Sequence, residues 1–508
     1  MISQKFTTIV IVSVMLGVVY TLLSKFGVAA GAPLVVALPL ILFLVVSPGR
    51  ALIFAWFCLS FLPFIVREYL GNSAYQVINE GVVALLWMSW IARIMIEGRI
   101  RGIPNPLKLA AILILTISFV SLMVNKTNPV YWAEWVLTYL LPIPVLAISR
   151  TYLKSYTPKR LVRIIVIFML IQFVLNITWH AGINPLRNHS AQLDLSCGTY
   201  GNTAATAYIT LALIFAGMAF WVSSRQYAGA KLRTLIFILL ACIQFIFTFT
   251  VHAYLLIPIG LLVFVFFYPR AKGKGPGKII YVLSLLSLIT LILVPIMSNF
   301  SLNKQYRQLG GSSVEYGQKA WRSVWHGPKV DVIRRVIKVA RPIQLAVGMG
   351  PNSAVSYTGM LLNNPQTIRL IGEWYYTASG RKELSTGSIR ESLFSGVVML
   401  LSEIGITGLI IYMIFLTYPL FHIVRHVKFD NTISAERRFL IVFVVILLLT
   451  NIAIGIVWDV WRIRMLSIGI WLLLGRIWDP EDEENMENNQ SVSNENALSE
   501  VTQQKDGL

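Results

Sequence analysis

The stretch LFSGVVMLLSEIGITGLIIY, from Leu393 to Tyr412, decides the fold class of this chain. It is apolar almost throughout and holds a single charged residue, Glu403. A helix of about 20 such residues matches the thickness of the hydrocarbon core of a bilayer. A charge at that depth is costly, so Glu403 is a functional candidate as well as a marker of the fold.

The composition of the whole chain agrees with that stretch. Of its 508 residues, 56% are hydrophobic and 13% are charged, and the mean hydropathy is +0.69. So few polar groups cannot cover the surface of a soluble protein. The apolar runs are long and continuous rather than alternating, which favours helices over a barrel. The sequence therefore predicts an all-α, polytopic membrane helical bundle.

About 12–14 transmembrane helices are predicted from runs long enough to cross a bilayer. The runs begin near Thr7, Val28, Ala51, Val77, Leu107, Val130, Leu161, Gly201, Leu232, Ala253, Ile279, Phe394, Phe439 and Met465. They divide the chain into N-terminal transmembrane helices (1–298), a long extracytoplasmic loop carrying short helices (299–391) and C-terminal transmembrane helices (392–478). The remaining segment, 479–508, is predicted to be a disordered, acidic cytoplasmic tail.

Basic residues alternate between connectors, and this alternation predicts the topology. Short basic connectors follow the fourth, sixth, eighth, tenth and twelfth spans, the first two carrying Arg101, Lys108, Arg150, Lys154, Lys159 and Arg160. Basic loops stay on the cytoplasmic side. Both termini are therefore predicted to be cytoplasmic, and the segment 299–391 to face outward.

The outward segment has an excess of positive charge that topology does not explain. From Asn299 to Glu391 it carries thirteen lysines and arginines against five acids. Long translocated segments escape the charge rule. A negatively charged binding partner is the alternative explanation for this basic loop.

Two patterns stand out in the middle of that loop. On a continuous helix over Lys329–Leu345, the side chains of Arg334, Arg335, Lys338 and Arg341 share an arc of about 120°. Such a face suits either bilayer headgroups or phosphate oxygens, which guanidinium groups bind bidentately. The glycine cluster that begins at Gly348 favours a turn that ends a helix over a phosphate loop.

Acids inside or at the ends of the spans form the next set of candidates. They are Glu80, Glu134, Glu403 and Asp459. Each of them is either a structural partner of a neighbouring group or a functional residue. The tryptophans are predicted to anchor the membrane interface rather than to stack on sugars. They include Trp132, Trp135 and Trp461.

The order of motifs resembles that of the O-antigen ligase and polymerase family. LAVGMGPN (Leu345–Asn352) is followed by a polar loop and then by LLSEIGITG (Leu400–Gly408), with a Glu-x-Gly-x-x-Gly pattern at Glu403. The earlier stretch Gly198–Ala204 is similar to the Gly-x-x-x-Asn pattern with which one transmembrane span of that family begins. The resemblance implies a GT-C-like bundle in the bacterial plasma membrane that transfers lipid-linked saccharides.

The chain departs from the family pattern at two positions. Ligase-type members carry a histidine eleven residues before the glycine that follows the glutamate, and Phe394 stands there in this chain. Where relatives often have Ser-Arg-Gly, this chain has Val251-His252-Ala253. These differences favour a divergent polymerase over a ligase.

The resemblance implies a polymerase that joins undecaprenyl-pyrophosphate-linked oligosaccharides at the outer face of the membrane. Fixed cations would stabilise the departing pyrophosphate, and the candidates are Arg187, Arg334, Arg335, Arg341 and Arg390. A base would activate the acceptor hydroxyl, and the candidates are Glu391, Glu403, His252 and His326. No metal and no cofactor are expected, and no nucleic acid is an expected partner.

Three alternatives remain open at this point. The first is ligase-type transfer of the saccharide to another acceptor. The second is a transporter for a polysaccharide or another anion, and the third is a non-enzymatic assembly partner. Membrane lipid, a flippase and a chain-length regulator of the same pathway are the expected partners of the polymerase.

Overall fold

The computed structural model describes residues 46–69, 71–180, 203–223, 228–248, 256–266, 337–338, 340–351, 396–426, 433–457, 461 and 463–478. The predicted spans that begin near Thr7, Val28 and Ile279 lie outside these residues. So do most of the loop 299–391 and the whole tail 479–508.

Every regular element in these ranges is a helix, which confirms the all-α prediction for the described part of the chain. In chain order the helices are α1 (Pro48–Tyr69), α2 (Gly71–Glu97), α3 (Asn105–Asn125), α4 (Pro129–Tyr139), α5 (Pro142–Tyr152), α6 (Pro158–His180), α7 (Thr203–Ser223), α8 (Ala228–Phe247), α9 (Ile257–Phe266), α10 (Pro342–Val347), α11 (Gly396–His426), α12 (Ala435–Val457) and α13 (Arg464–Ile477).

Four of the described helices are long and apolar enough to cross a membrane. They are α3, α7, α11 and α12, and a fifth crossing results if the pair α4 and α5 counts as one span. The total of 12–14 spans stays a prediction. The described part of the stretch Leu393–Tyr412, which starts at Gly396, forms the first half of α11, as its apolar composition predicts.

Proline opens several of these helices. It is the first residue of α1, α4, α5, α6 and α10. The first N–H groups of a helix have no intrahelical partner, and the fixed φ of proline already suits a helix, so the residue costs little there. Asn128 completes the start of α4, because its side chain accepts a hydrogen bond from the backbone N–H of Val130 at 2.9 Å.

The predicted span near Val130 differs from a single helix. It consists of α4 and α5, whose axes meet at an angle of 44°. Pro142, the first residue of α5, has no N–H to continue the hydrogen bonds of α4, so the chain bends there. The bend brings the end of α4 against α11, where the hydroxyl of Tyr412 donates to the carbonyl of Tyr139 at 3.5 Å.

One continuous apolar core joins the described helices other than α10. Helix α12 lies near its centre and packs against α7, α11, α13, α6 and α9. Helix α3 is peripheral; it packs mainly on α11 and leaves side chains such as Leu109, Ile112 and Met123 exposed. The described part of the bundle therefore has inner helices, such as α12, and outer helices, such as α3.

Helix ends from distant parts of the sequence meet at one end of the bundle. Arg150 donates to the carbonyl of Gly102 at 3.4 Å, Tyr152 donates to Glu97 at 2.5 Å, and Arg476 donates to the carbonyl of Lys154 at 3.4 Å. We call the end of the bundle where Arg150, Tyr152 and Arg476 make these hydrogen bonds the basic end. Of the five basic connectors, the two that follow the fourth and sixth predicted spans meet here. That this end faces the cytoplasm stays a prediction.

Candidate functional site

Helix α11 is interrupted at Gly405. This residue has φ 70° and ψ −175°, which are not helical angles, although the residues on both sides continue as helix. The region with positive φ and ψ near 180° is accessible almost only to glycine. The first glycine of the Glu-x-Gly-x-x-Gly pattern, Gly405, is therefore the point at which an otherwise continuous apolar helix breaks.

The glycine cluster packs directly against this break. Gly348 ends α10 with φ 89° and ψ 172°, in the same glycine-only region as Gly405. A methyl group on Gly348 would overlap the carbonyl of Glu403, and one on Gly405 would overlap the carbonyl of Ala346. Two glycines are therefore needed for the two backbones to touch. The prediction that this cluster ends a helix is confirmed.

Hydrogen bonds from neighbouring elements satisfy the carbonyl groups that the break releases. The N–H of Met349 donates to the carbonyl of Ser402 at 2.7 Å. The hydroxyl of Ser121, on α3, donates to the carbonyl of Glu403 at 2.9 Å. Irregular backbone at membrane depth is tolerated where other parts of the protein supply such partners. Specific hydrogen bonds therefore stabilise the interruption.

Two amides connect α3 to the chain on either side of the glycine turn. Asn125 donates to the carbonyl of Gly348 at 3.0 Å and to the carbonyl of Ser121 at 2.7 Å. Its own carbonyl accepts from Gln344 at 2.8 Å, and Gln344 accepts from the backbone N–H of Arg341 at 2.9 Å. We call the group that consists of Ser121, Asn125, Arg341, Gln344, Gly348 and Ser402–Gly405 the break junction.

The side chain of Glu403 is fully buried beside the junction, with 0% exposure. Its Oε2 accepts a hydrogen bond from the indole N–H of Trp135, on α4, at 2.9 Å. Trp135 is itself 0% exposed and packs on Tyr139. A buried carboxyl group and a tryptophan therefore join the broken helix to the bent pair.

The prediction that these tryptophans anchor a membrane interface is wrong for Trp135 and Trp461. Both are buried in the described structure. Trp461 donates to the carbonyl of Asn451 at 3.0 Å and lies against Gly396 and Gly455, which leave room for its ring. Indole rings pack well in cores when their N–H finds a partner, and both rings meet that condition.

A second buried ionisable residue, Arg464, lies at the start of α13. It is 8% exposed and donates to the hydroxyl of Thr138 at 3.1 Å. Thr138 follows Trp135 by three residues, so both face the same side of α4. Helix α4 thus holds Glu403 with one side chain and Arg464 with another. Sequence reasoning missed Arg464, although a charge directly before the apolar run at Met465 was a usable signal.

Arg341 is the one predicted phosphate-binding arginine within the described residues. It is exposed and precedes α10, with φ −69° and ψ 157°, an extended conformation. The predicted continuous helix over Lys329–Leu345 is therefore wrong at this residue. Proline disfavours helical angles in the residue before it, and Pro342 follows Arg341. Arg341 and Lys338 consequently do not share one helical face.

The remaining predicted site residues lie outside the described residues. For the pyrophosphate they are Arg187, Arg334, Arg335 and Arg390, and for the base they are Glu391, His252 and His326. Of the predicted site residues, the structure brings Arg341 and Glu403 to one junction, where Gln344, Asn125 and Gly348 link them. The side chain of Glu134, on α4, is described but belongs to neither end of that link.

Among the described residues, no group of three His, Cys, Asp or Glu side chains could hold a metal ion. The expectation of a metal-independent reaction stays a prediction. No protein-family model matches this chain, and no curated protein matches it. The family resemblance therefore depends on the residues quoted above.

Proposed function

We propose that this protein is a membrane glycosyltransferase that polymerises oligosaccharide units carried on undecaprenyl pyrophosphate. The observation that carries the proposal is the break junction. Its residues Gly348 and Ser402–Gly405 lie within the two stretches on which the family resemblance depends, Leu345–Asn352 and Leu400–Gly408, and the two backbones meet at Gly348 and Gly405. The proposed setting is the outer face of a bacterial plasma membrane.

The junction supplies the fixed geometry that such a transfer needs. In the proposed step, the acceptor hydroxyl attacks the anomeric carbon, and the bond from that carbon to the pyrophosphate oxygen breaks. The hydroxyl proton passes to a base of the protein, and the pyrophosphate leaves with the electron pair. Positioning and charge stabilisation carry most of the catalysis in such a reaction.

Arg341 is the described residue that we assign to the pyrophosphate. Its side chain is exposed, whereas its backbone is fixed through Gln344 to the rest of the junction. A guanidinium group on a fixed backbone can bind phosphate oxygens with little loss of entropy. Arg187, Arg334, Arg335 and Arg390 complete the proposed set.

Glu403 is assigned here to positioning and not to proton transfer. Its side chain is 0% exposed, and its Oε2 accepts from the indole of Trp135. A base must reach the proton that it removes, directly or through one water. The proposed base is therefore one of Glu391, His252 and His326, and Glu403 holds the broken helix against α4.

A transporter is the second candidate, and one observation favours it. Both α11 and the pair α4–α5 are interrupted, and they contact each other through Glu403 and Trp135. Discontinuous helices that meet near the middle of a bundle form the binding sites of many transporters. Polymerisation by protein in detergent separates the two candidates, because transport needs two closed compartments.

The experiment is the incubation of purified protein in detergent with undecaprenyl-pyrophosphate-linked repeat units. We expect a ladder of products on a gel, which Arg334→Glu/Arg335→Glu abolishes. We expect Arg341→Gln to lower the rate by about tenfold or more, since removing one charge-stabilising group costs a few kcal/mol in a transition state.

Arg425→Gln is the matched control for Arg341→Gln. Arg425 is also exposed, but it lies in the last turn of α11, away from the junction. Its variant should give the same ladder as the unmodified protein. A folded, unmodified protein that gives no ladder would contradict the polymerase proposal.

A further inference from the structure

A cavity of about 430 Å³ opens at the basic end of the bundle, away from the break junction. Its walls are the start of α1, the end of α2 and the connector between α5 and α6. The lining residues are Ser47, Pro48, Gly49, Arg50, Arg93, Tyr152, Leu153, Ser155, Tyr156 and Arg160. Neither the resemblance nor the proposed transfer reaction gives this cavity a role.

Three arginines from three different helices line the cavity. Arg50 belongs to the first turn of α1, Arg93 to the last part of α2 and Arg160 to the first turn of α6. No acidic side chain occurs among the described residues of the lining. Glu97, which accepts a hydrogen bond from the cavity residue Tyr152, also pairs with Arg101 at 3.4 Å.

The start of α1 adds to the positive charge of this cavity. A helix N-terminus carries a partial positive charge, which acidic residues in the first turn normally offset. The first turn of α1 has no acidic residue and instead contains Arg50. The start of α1 therefore contributes positive charge to the wall of the cavity.

Aromatic rings and a backbone carbonyl position two of the guanidinium groups. Arg93 lies over the ring of Tyr152 at 5.6 Å and donates to the carbonyl of Val46. Arg160 lies over the ring of Tyr156 at 4.9 Å. The Nε of Arg93 is buried without a hydrogen-bond partner in the described part of the chain. Contacts within the protein therefore hold both guanidinium groups at the cavity.

We propose that this cavity binds a phosphate-bearing anion. Arginine forks and hydroxyl groups match phosphate oxygens, and basic pockets at helix ends bind the headgroups of anionic lipids. The source is either the headgroup of an anionic phospholipid or a free phosphate compound. The cavity lies beside the end of α5, which belongs to the bent pair that could cross a membrane, and this position favours the lipid headgroup. The site is independent of the proposed transfer reaction.

The test titrates phosphatidylglycerol, phosphatidylcholine and inorganic phosphate separately into detergent-solubilised, delipidated protein, with thermal unfolding as the measurement. A ligand that binds the folded state raises Tm. We expect phosphatidylglycerol to raise Tm and phosphatidylcholine to leave it unchanged. In Arg50→Gln/Arg160→Gln the apparent affinity should fall by about tenfold or more, since each basic residue contributes to binding an anionic headgroup.

The controls use residues of the same type and exposure. Arg50 and Arg160 are both exposed, so their replacement should leave the fold intact, and Arg425→Gln should bind as the unmodified protein does. A rise of Tm with inorganic phosphate alone, lost in the double variant, would assign the site to a free phosphate compound. If neither ligand distinguishes the double variant from Arg425→Gln, the proposal is overturned.

Discussion

Gly405→Ala should lower the free energy of unfolding by about 2–6 kcal/mol. A non-glycine residue at these backbone angles costs about 1–3 kcal/mol. The added methyl group would also overlap the carbonyl of Ala346, and overpacking costs about 1–3 kcal/mol more. Gly348→Ala should behave similarly, because its methyl group would overlap the carbonyl of Glu403. Denaturant unfolding in detergent measures both effects.

Two other glycines separate the causes of that loss. Gly98 has φ +67° and nothing within 4 Å of an added methyl group, so Gly98→Ala isolates the backbone cost. Gly81 lies within α2 and is equally unobstructed, so Gly81→Ala should be neutral or stabilising by about 0.5–1 kcal/mol. If Gly405→Ala were no worse than Gly98→Ala, the close contact between α10 and α11 would be refuted.

Glu403→Ala should be the most damaging change of a charged residue in the described part of the chain. It leaves the buried N–H of Trp135 without its acceptor, which costs about 1–3 kcal/mol, and it leaves a cavity as well. The product length in the ladder assay and the free energy of unfolding, measured with denaturant, should fall together. Glu403→Gln should keep most of both, because the amide oxygen can still accept from the indole.

Kinetics distinguish positioning from proton transfer at Glu403. At a temperature where Glu403→Ala remains folded, we expect a lower kcat with little change in KM, because the transition-state geometry is disturbed while substrate binding is not. A Glu403→Gln protein with normal stability and no product would instead show that the carboxyl group must exchange a proton. That result would return Glu403 to the candidates for the base.

The sequence predicted the helices of this fold better than it predicted their interruptions. Apolar length alone indicated α11, and the glycines after Val347 indicated the end of α10. The break at Gly405 leaves the apolar pattern unchanged on both sides, so periodicity could not reveal it. Pro342 did carry a local signal, which the charge pattern over Lys329–Leu345 obscured.

The candidate site depended on tertiary contacts that no local pattern contains. Glu403 was identified because a charge in an apolar run is costly. Its partner Trp135 could not be identified, since tryptophan is equally common at membrane interfaces and in cores. Arg464 was detectable by the same rule as Glu403, but it stands at the edge of its apolar run. Thr138, its partner on α4, had no signal of its own.

The separation in sequence between the two sides of the break junction has a consequence for synthesis. Ser121 and Glu403 are 282 residues apart, and Trp135 and Glu403 are 268 apart. At about 5–20 residues per second, the ribosome needs on the order of tens of seconds to add that length of chain. During this interval α3 and α4 already exist while α11 does not. The nascent protein must therefore keep the polar groups of Ser121, Asn125 and Trp135 supplied with temporary partners until their permanent ones are translated.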